Sequence, residues 1–235
     1  MSLRDDALEM HRENQGKLEI TPNVKVTNKQ QLSLAYSPGV AEPCKEIHED
    51  PRKVYEYTIK GNTVAVVTDG TAVLGLGNIG AEASIPVMEG KAALFKSFAG
   101  INGVPIALDT TDTQEIIKTV KLIQPNYGGI NLEDISAPRC FEIEETLKKE
   151  TNIPIFHDDQ HGTAIVTMAG LINALKIVNK ELTDIKVVLN GAGAAGIAIV
   201  KLLHAYGVNN MIMCDSKGAI YSGRNLGMND TKTYV

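Results

Sequence analysis

The sequence predicts an α/β fold of parallel strands clad in helices, in two successive parts. Three observations carry that prediction. Short β-branched or apolar runs alternate with helical periodicity from Thr63 onward, glycine-rich turns punctuate them, and two of the runs end in adjacent carboxylates. Strict alternation sets neighbouring strands parallel and brings their C-terminal ends to one edge of the sheet, where ligands bind.

The elements follow in order. Leu3 to Asn14 reads as an amphipathic helix, and Gly16 to Thr27 as a loop or extended arm of the kind that packs on another subunit. After Tyr36-Ser37-Pro38-Gly39, short helical pieces run to Tyr55, broken by Pro43 and Pro51. Thr63 to Asp69 is a β-branched strand, Gly70 to Gly80 a glycine-rich turn, and Ala81 to Ala99 a helix that tolerates Pro86 near its start. Then come a strand at Val104 to Leu108, a helix at Thr113 to Ile123, a strand at Gly128 to Leu132 and a charge-paired helix at Pro138 to Lys149. Ile153 to Phe156 is the next strand, Gly162 to Val178 a long helix, Ile185 to Leu189 a strand, Ala194 to Ala205 a helix and Met211 to Cys214 a strand. Gln124-Pro125-Asn126 marks the expected boundary, dividing residues 1–125 from 126–235. Ser216 to Val235 carries Gly218, Gly223 and Gly227 with little apolar periodicity, so the second sheet is expected to stop after two strands. A lone βαβ unit leaves sheet edges uncovered, which points to a truncated chain or to a missing half supplied from elsewhere.

At 235 residues the chain can bury one large core or two small ones. Lys+Arg 23 against Asp+Glu 28 gives a formal charge of -5, and no basic block or aromatic-basic interleaving points to nucleic acid. No apolar run approaches a membrane span, and Met1-Ser2-Leu3-Arg4-Asp5-Asp6 lacks the order of a signal peptide, so a cytoplasmic protein is expected. Cys44, Cys140 and Cys214 stand alone with no CxxC spacing, as reduced packing residues do.

The chemistry gathers at two strand ends. Ile153-Pro154-Ile155-Phe156-His157-Asp158-Asp159 ends an apolar strand in two carboxylates, and Tyr127 to Leu132 is closed by Glu133 and Asp134. Carboxylates converging there repel one another, and a hard divalent cation with oxygen ligands relieves the repulsion; Mg²⁺ or Mn²⁺ fits best. His157 and His161 have a spacing that suits zinc on a helix, but His157 ends a strand, so hydrogen bonding around the carboxylates is the better reading. Tyr36 and Lys91 are the protonic candidates. Gly90 and Ala92-Ala93 make the face around Lys91 small and apolar, and burial would lower its pKa from about 10.4 toward neutrality. Gly75-Leu76-Gly77-Asn78-Ile79-Gly80 reads as a tight turn presenting backbone N–H groups to an anionic substrate.

Gly191-Ala192-Gly193-Ala194-Ala195-Gly196 follows a strand and opens a helix, the context a Rossmann-type dinucleotide fingerprint requires. Gly191, Gly193, Ala195 and Gly196 would cradle the pyrophosphate, and Asp215, at the end of the next strand, would accept hydrogen bonds from the ribose. Asp215 favours NAD, while Lys217 nearby could neutralise the 2′-phosphate of NADP.

Taken together, these residues resemble the malic enzymes of the short bacterial and archaeal type, over about Leu32 to Asp215. Ala-Tyr-Ser-Pro-Gly-Val at 35–40, Val-Thr-Asp-Gly-Thr at 67–71, Leu-Gly-Leu-Gly-Asn-Ile-Gly at 74–80 and Gly-Lys-Ala at 90–92 resemble that family's substrate-domain motifs. Asn-Leu-Glu-Asp at 131–134 and Phe-His-Asp-Asp-Gln-His-Gly-Thr at 156–163 resemble its metal motifs. The resemblance implies a malate-binding domain followed by a partial Rossmann-type NAD-binding domain. It implies Tyr36 as general acid, Lys91 as general base, Glu133, Asp134 and Asp159 as metal ligands, and Asp158 as the carboxylate that orients the site. It further implies oxidative decarboxylation of L-malate to pyruvate and carbon dioxide, and a homodimer. The rival readings are malolactic decarboxylation to lactate and a non-catalytic fragment or binding module. Two departures stand out. Larger relatives place a substrate-binding arginine where this chain has Ala72, so another cation or N–H must meet a malate carboxylate. The family's C-terminal asparagines would lie beyond Val235.

Overall fold

A computed structural model describes residues 2–233. The chain opens with four helices, α1 (Leu3–Asn14), α2 (Lys29–Ala35), α3 (Ala41–Glu49) and α4 (Val54–Tyr57). The first sheet then runs through β1 (Thr63–Thr68), α5 (Ala81–Ala99), β2 (Asn102–Ala107), α6 (Thr113–Ile123), β3 (Gly129–Leu132), α7 (Arg139–Glu150) and β4 (Ile155–His157). Its strands are all parallel, in the order β2-β1-β3-β4. Helix α8 (Asp158–Val178) leads to a second sheet of β5 (Val187–Asn190), β6 (Met211–Asp215) and β7 (Gly218–Ala219), with α9 (Ala194–Ala205) between β5 and β6 and α10 (Asp230–Thr233) last.

Alternation along β1 divides its side chains between two faces. Ala65 and Val67 enter one core with Ile116, Ile117 and Val120 of α6, Ile130 and Leu132 of β3, and Cys140, Ile143 and Leu147 of α7. The opposite face receives α5, brought close because Gly103 has no side chain: a Cβ there would lie 2.7 Å from the Ala92 Cβ. Ile143 and Leu147 are fully buried, and truncating either to Ala would cost about 2–5 kcal/mol. Burial on both faces explains why these strands read as continuous apolar runs.

Several expectations are corrected. The boundary at Gln124-Pro125-Asn126 lies inside the first sheet, because β3 pairs with β1 across it and β4 pairs with β3. The sequence cue was a Pro-containing turn, which here is only a short 3₁₀ segment in the crossover. Pro43 does not break α3, since it falls in the first turn, where no backbone donor is needed. Helix α2 was missed; Asn28 caps it by accepting from the Gln31 N–H. The long helix begins at Asp158 rather than Gly162, with both aspartates in its first turn, where the helix dipole favours negative charge. The second sheet carries a third strand, since β7 returns antiparallel on β6. Finally, α8, with 21 residues, is long and apolar enough by length and composition to cross a membrane. Its Met168 nonetheless packs with Leu203 of α9 and Val208.

Candidate active site

Parallel strands deliver their following residues to one edge, and β1, β3 and β4 end there in Asp69, Glu133-Asp134 and Asp158-Asp159. One carboxylate oxygen from each of Glu133, Asp134 and Asp159 lies within 4.8 Å of the others. Asp134 takes a left-handed backbone, φ 54°, which a short polar side chain tolerates and which aims its N–H at Asp159 Oδ2, 2.9 Å away. Burial first, and the neighbouring aspartates after it, push Glu133 up to about 7 and Asp134 up to about 6, although Lys91 and, for Glu133, the Asn131 amide oppose the shift. Asp134 Oδ2 is buried without a hydrogen-bond partner. Buried, mutually repelling, partly orphaned oxygens are the donor set a hard divalent cation takes, so these residues fit Mg²⁺ or Mn²⁺.

Lys91 enters the cluster from α5. Its ammonium lies 2.7 Å from Asp158 Oδ2 and 3.2 Å from Glu133 Oε1. Burial works to lower its pKa, as expected from its small neighbours, but the hydrogen bond to Asp158 and the charge of Glu133 outweigh burial and hold it above the ordinary lysine value. The expected shift toward neutrality is therefore reversed. Gly162 makes room for this arrangement, since a Cβ there would stand 2.3 Å from Asp158 Oδ1.

The imidazole of His157 is fully buried with both ring nitrogens unpartnered, its Nε2 3.6 Å from Asp159 Oδ2. Burial lowers its pKa and keeps it neutral. His161 bonds through Nε2 to both oxygens of Glu144, at 2.7 and 2.9 Å.

Asp69 accepts from the Thr71 N–H and hydroxyl, and its second oxygen pairs with Arg139 at 2.8 Å, close in distance but poorly aligned for a hydrogen bond. Arg139 also donates to Thr71, Ser136 and Thr111, so it braces the loop after β1 and is not free for a substrate. The Ala72 N–H is likewise spent on the Asp134 carbonyl. In the glycine turn, Leu76 and Gly77 donate to the Val73 carbonyl, and Ile79 and Gly80 to Gly70. Those four N–H groups close the turn. Tyr36 is 69 % exposed, and among the described residues its hydroxyl makes no hydrogen bond to Lys91 or to the carboxylates. The structure assembles every other predicted residue of this cluster but does not bring Tyr36 to it.

In the second sheet the glycine loop joins β5 to α9. Gly191 has φ 130°, and a Cβ on Gly196 would lie 1.9 Å from the Gly191 carbonyl oxygen, so the loop closes on the helix only with glycine there. Gly193 caps α9 without a side-chain acceptor, leaving the first-turn N–H groups of Ala194, Ala195 and Gly196 for an anion. Asp215 ends β6 as expected, but both its oxygens are engaged: Arg224 donates at 2.9 and 2.6 Å, Lys232 at 2.8 Å and the Lys217 N–H at 2.8 Å. These bonds hold its carboxyl far below the ordinary range. Sequence reading missed Arg224, Arg139 and Glu144. Each lies in a segment whose local pattern is only a charged loop or helix face.

The chain matches the family model described as malic enzyme, N-terminal domain, over residues 15–148, and that described as malic enzyme, NAD binding domain, over residues 160–232. It is 71 % identical over 235 residues to a bifunctional malic/malolactic enzyme of Bacillus subtilis, covering all of this chain and 57 % of that protein. It is 65 % identical over 206 residues to an NAD-dependent malic enzyme of Geobacillus stearothermophilus, covering 88 % of this chain and 43 % of the relative. An NADP-dependent malic enzyme of Escherichia coli is 52 % identical over 233 residues, covering 98 % of this chain and 31 % of the relative. Among solved structures, an NAD-dependent malic enzyme of Thermotoga maritima superposes with a TM-score of 0.94 at 50 % identity, over 97 % of this chain and 61 % of the other. The chain thus spans about half the length or less of these curated relatives.

Proposed function

The chain belongs to the malic enzyme family, and from that premise we propose that it carries out the oxidative decarboxylation of L-malate to pyruvate and carbon dioxide with reduction of a nicotinamide dinucleotide. The observation that carries this reading is the convergence of Glu133, Asp134 and Asp159 with the Lys91–Asp158 pair at one sheet edge. Glu133, Asp134 and Asp159 would hold Mg²⁺ or Mn²⁺, which when bound supplies the positive charge that polarises the C2 oxygen of the substrate. The dinucleotide, whose pyrophosphate the Gly191–Gly196 loop would hold, would supply the hydride acceptor.

Lys91 takes the hydroxyl proton of malate in this reading. Its resting ammonium must first pass a proton to Asp158 Oδ2, 2.7 Å away, which gives Asp158 a role as proton acceptor as well as orienting group. Tyr36 is assigned the protonation of C3 of the pyruvate enol on its motif alone. NAD is supported by the motif position of Asp215, an acid at the end of the strand after the glycine loop. NADP is supported as well, because Arg224 and Lys232 surround that carboxylate with positive charge that a 2′-phosphate would meet. A cytoplasmic homodimer belongs to the same reading. Its support is the isolated free thiols for the compartment and, for the dimer, exposed apolar residues such as Leu34, Leu74 and Val166.

A second reading is favoured by the name of the Bacillus subtilis relative, a bifunctional malic/malolactic enzyme. The test is absorbance at the reduced-nicotinamide band with L-malate, Mn²⁺ and NAD or NADP, with pyruvate and lactate measured in parallel. Reduced cofactor with stoichiometric pyruvate is the expected result. Lactate without net reduced cofactor would mean malolactic decarboxylation, and metal binding without either product would mean a binding module.

A further inference from the structure

We propose that Glu144 is a positioning residue for the metal-binding carboxylates: from α7 it clamps the start of α8 and so fixes Asp159 opposite Glu133 and Asp134. The proposal rests on the metal reading above. Glu144 is 5 % exposed and sits one turn into the middle of a helix whose other buried residues, Cys140, Ile143 and Leu147, are core. An unpaired carboxylate at such a place would be costly, and this one is saturated. Its Oε1 accepts from the His157 N–H at 3.2 Å, from Lys148 at 2.8 Å and from His161 Nε2 at 2.7 Å; its Oε2 accepts from the Gln160 amide at 3.2 Å and from His161 Nε2 at 2.9 Å.

Three of these four partners, His157, Gln160 and His161, flank the Asp158-Asp159 pair in sequence. The placement matters because α8 has no side-chain cap: His157 stands at its N-cap position and caps nothing. The anchor is instead a carboxylate from another helix, holding the backbone N–H of the residue just before Asp158 and two side chains just after Asp159. That leaves the first turn of α8 little freedom to move. Of the three ligand carboxylates, Asp159 stands on α8, whereas Glu133 and Asp134 directly follow β3. The mutual spacing of the ligand oxygens therefore depends on how α8 is docked, and groups that orient metal ligands from outside the coordination sphere change affinity about 10–100-fold when lost.

The experiment is a Mn²⁺ titration of the whole protein without substrate or cofactor, read by the electron paramagnetic resonance of free Mn²⁺, with thermal midpoints measured alongside. Glu144→Ala should weaken Mn²⁺ binding at least about tenfold. Leu147→Ala, on the same face of α7 but with no bond to α8, should lower the midpoint through its cavity yet keep the parent's Mn²⁺ affinity. His161→Leu gives a second arm if Glu144→Ala does not fold: it removes the forked His161 contact with both Glu144 oxygens and should weaken binding, while His161→Gln, whose amide can donate to Glu144, should restore it. Parent-like affinity in both Glu144→Ala and His161→Leu would overturn the proposal, as would a loss in Leu147→Ala equal to that in Glu144→Ala. A parent protein that takes up no Mn²⁺ would bring down the metal reading itself, and the clamp with it.

Discussion

The carboxylates after β3 and β4 and the carboxylate that ends β6 occupy equivalent places, the C-terminal edges of parallel strands, in opposite electrostatic settings. At the first sheet, Lys91 pairs with Glu133 and Asp158, no Lys or Arg among the described residues pairs with Asp134 or Asp159, and burial raises Glu133 and Asp134 toward neutral pH. At the second sheet, Asp215 alone holds both Arg224 and Lys232 and is driven the other way. The contrast separates two meanings of an acid at a sheet edge. A cluster short of positive charge has capacity left for a cation, whereas a carboxylate saturated by cations has none and leaves a surplus that suits an anion.

Lys91 is the group whose loss would break the first half of that contrast most visibly. Lys91→Ala should reduce malate oxidation by roughly 10²–10⁴-fold, the usual worth of a positioned proton-transfer group, while leaving Mn²⁺ affinity intact or tighter because a competing cation has gone. Steady-state turnover beside a metal titration reads both, and unchanged turnover would remove Lys91 from the mechanism. Next in size is Asp159→Asn, which should weaken Mn²⁺ binding by more than about 100-fold, beyond the loss typical of outer groups. An unaltered titration would end the ligand assignment.

The second half of the comparison is tested through stability and pH. Asp215→Asn should destabilise the protein near pH 7 by removing an acceptor for two cations. The sign follows from linkage: the folded pKa of Asp215 lies below its ordinary 3.8, so its contribution is complete above that value and fades only as pH falls through the depressed one. The gap in thermal midpoint between parent and Asp215→Asn should stay constant from pH 7 down to about 4 and narrow only in stronger acid. A gap that closes at pH 6 would mean that the ion pairs are not what the substitution removed.

How much of this was legible in the sequence depends on the range of the signal. The acidic pairs could be placed because each directly follows an apolar run, and the glycine loop because it lies between a strand and a helix. The start of α8 was misplaced because Gly162 reads as a turn residue, when its role is to leave space for Asp158. The sign of the Lys91 shift was hidden for a different reason. Its neighbours in sequence are Gly90 and Ala92, which argue for burial, but Asp158, 67 residues away, decides the outcome. Glu144 looked like an ordinary partner of Lys148 one turn on, and only the docking of α7 against β4 and α8 turns it into a hub. Local pattern locates acids at an edge; the cations that decide their chemistry come from elsewhere in the chain.

The smallest expected effect sharpens the comparison furthest. If the surplus charge around Asp215 serves a 2′-phosphate, Lys232→Gln should lower affinity for NADP while leaving affinity for NAD unchanged, by about two- to fivefold, the contribution of one partly solvated charge. Lys232 suits this test better than Arg224, because Arg224 also donates to the carbonyls of Gly218 and Ala219 and its loss would disturb the β6–β7 hairpin. Binding of 2′,5′-ADP against 5′-AMP isolates the ribose end from the nicotinamide. An equal loss for both nucleotides would mean that Lys232 supports the loop and not the phosphate, and no change for either would mean that Asp215 consumes its charge completely.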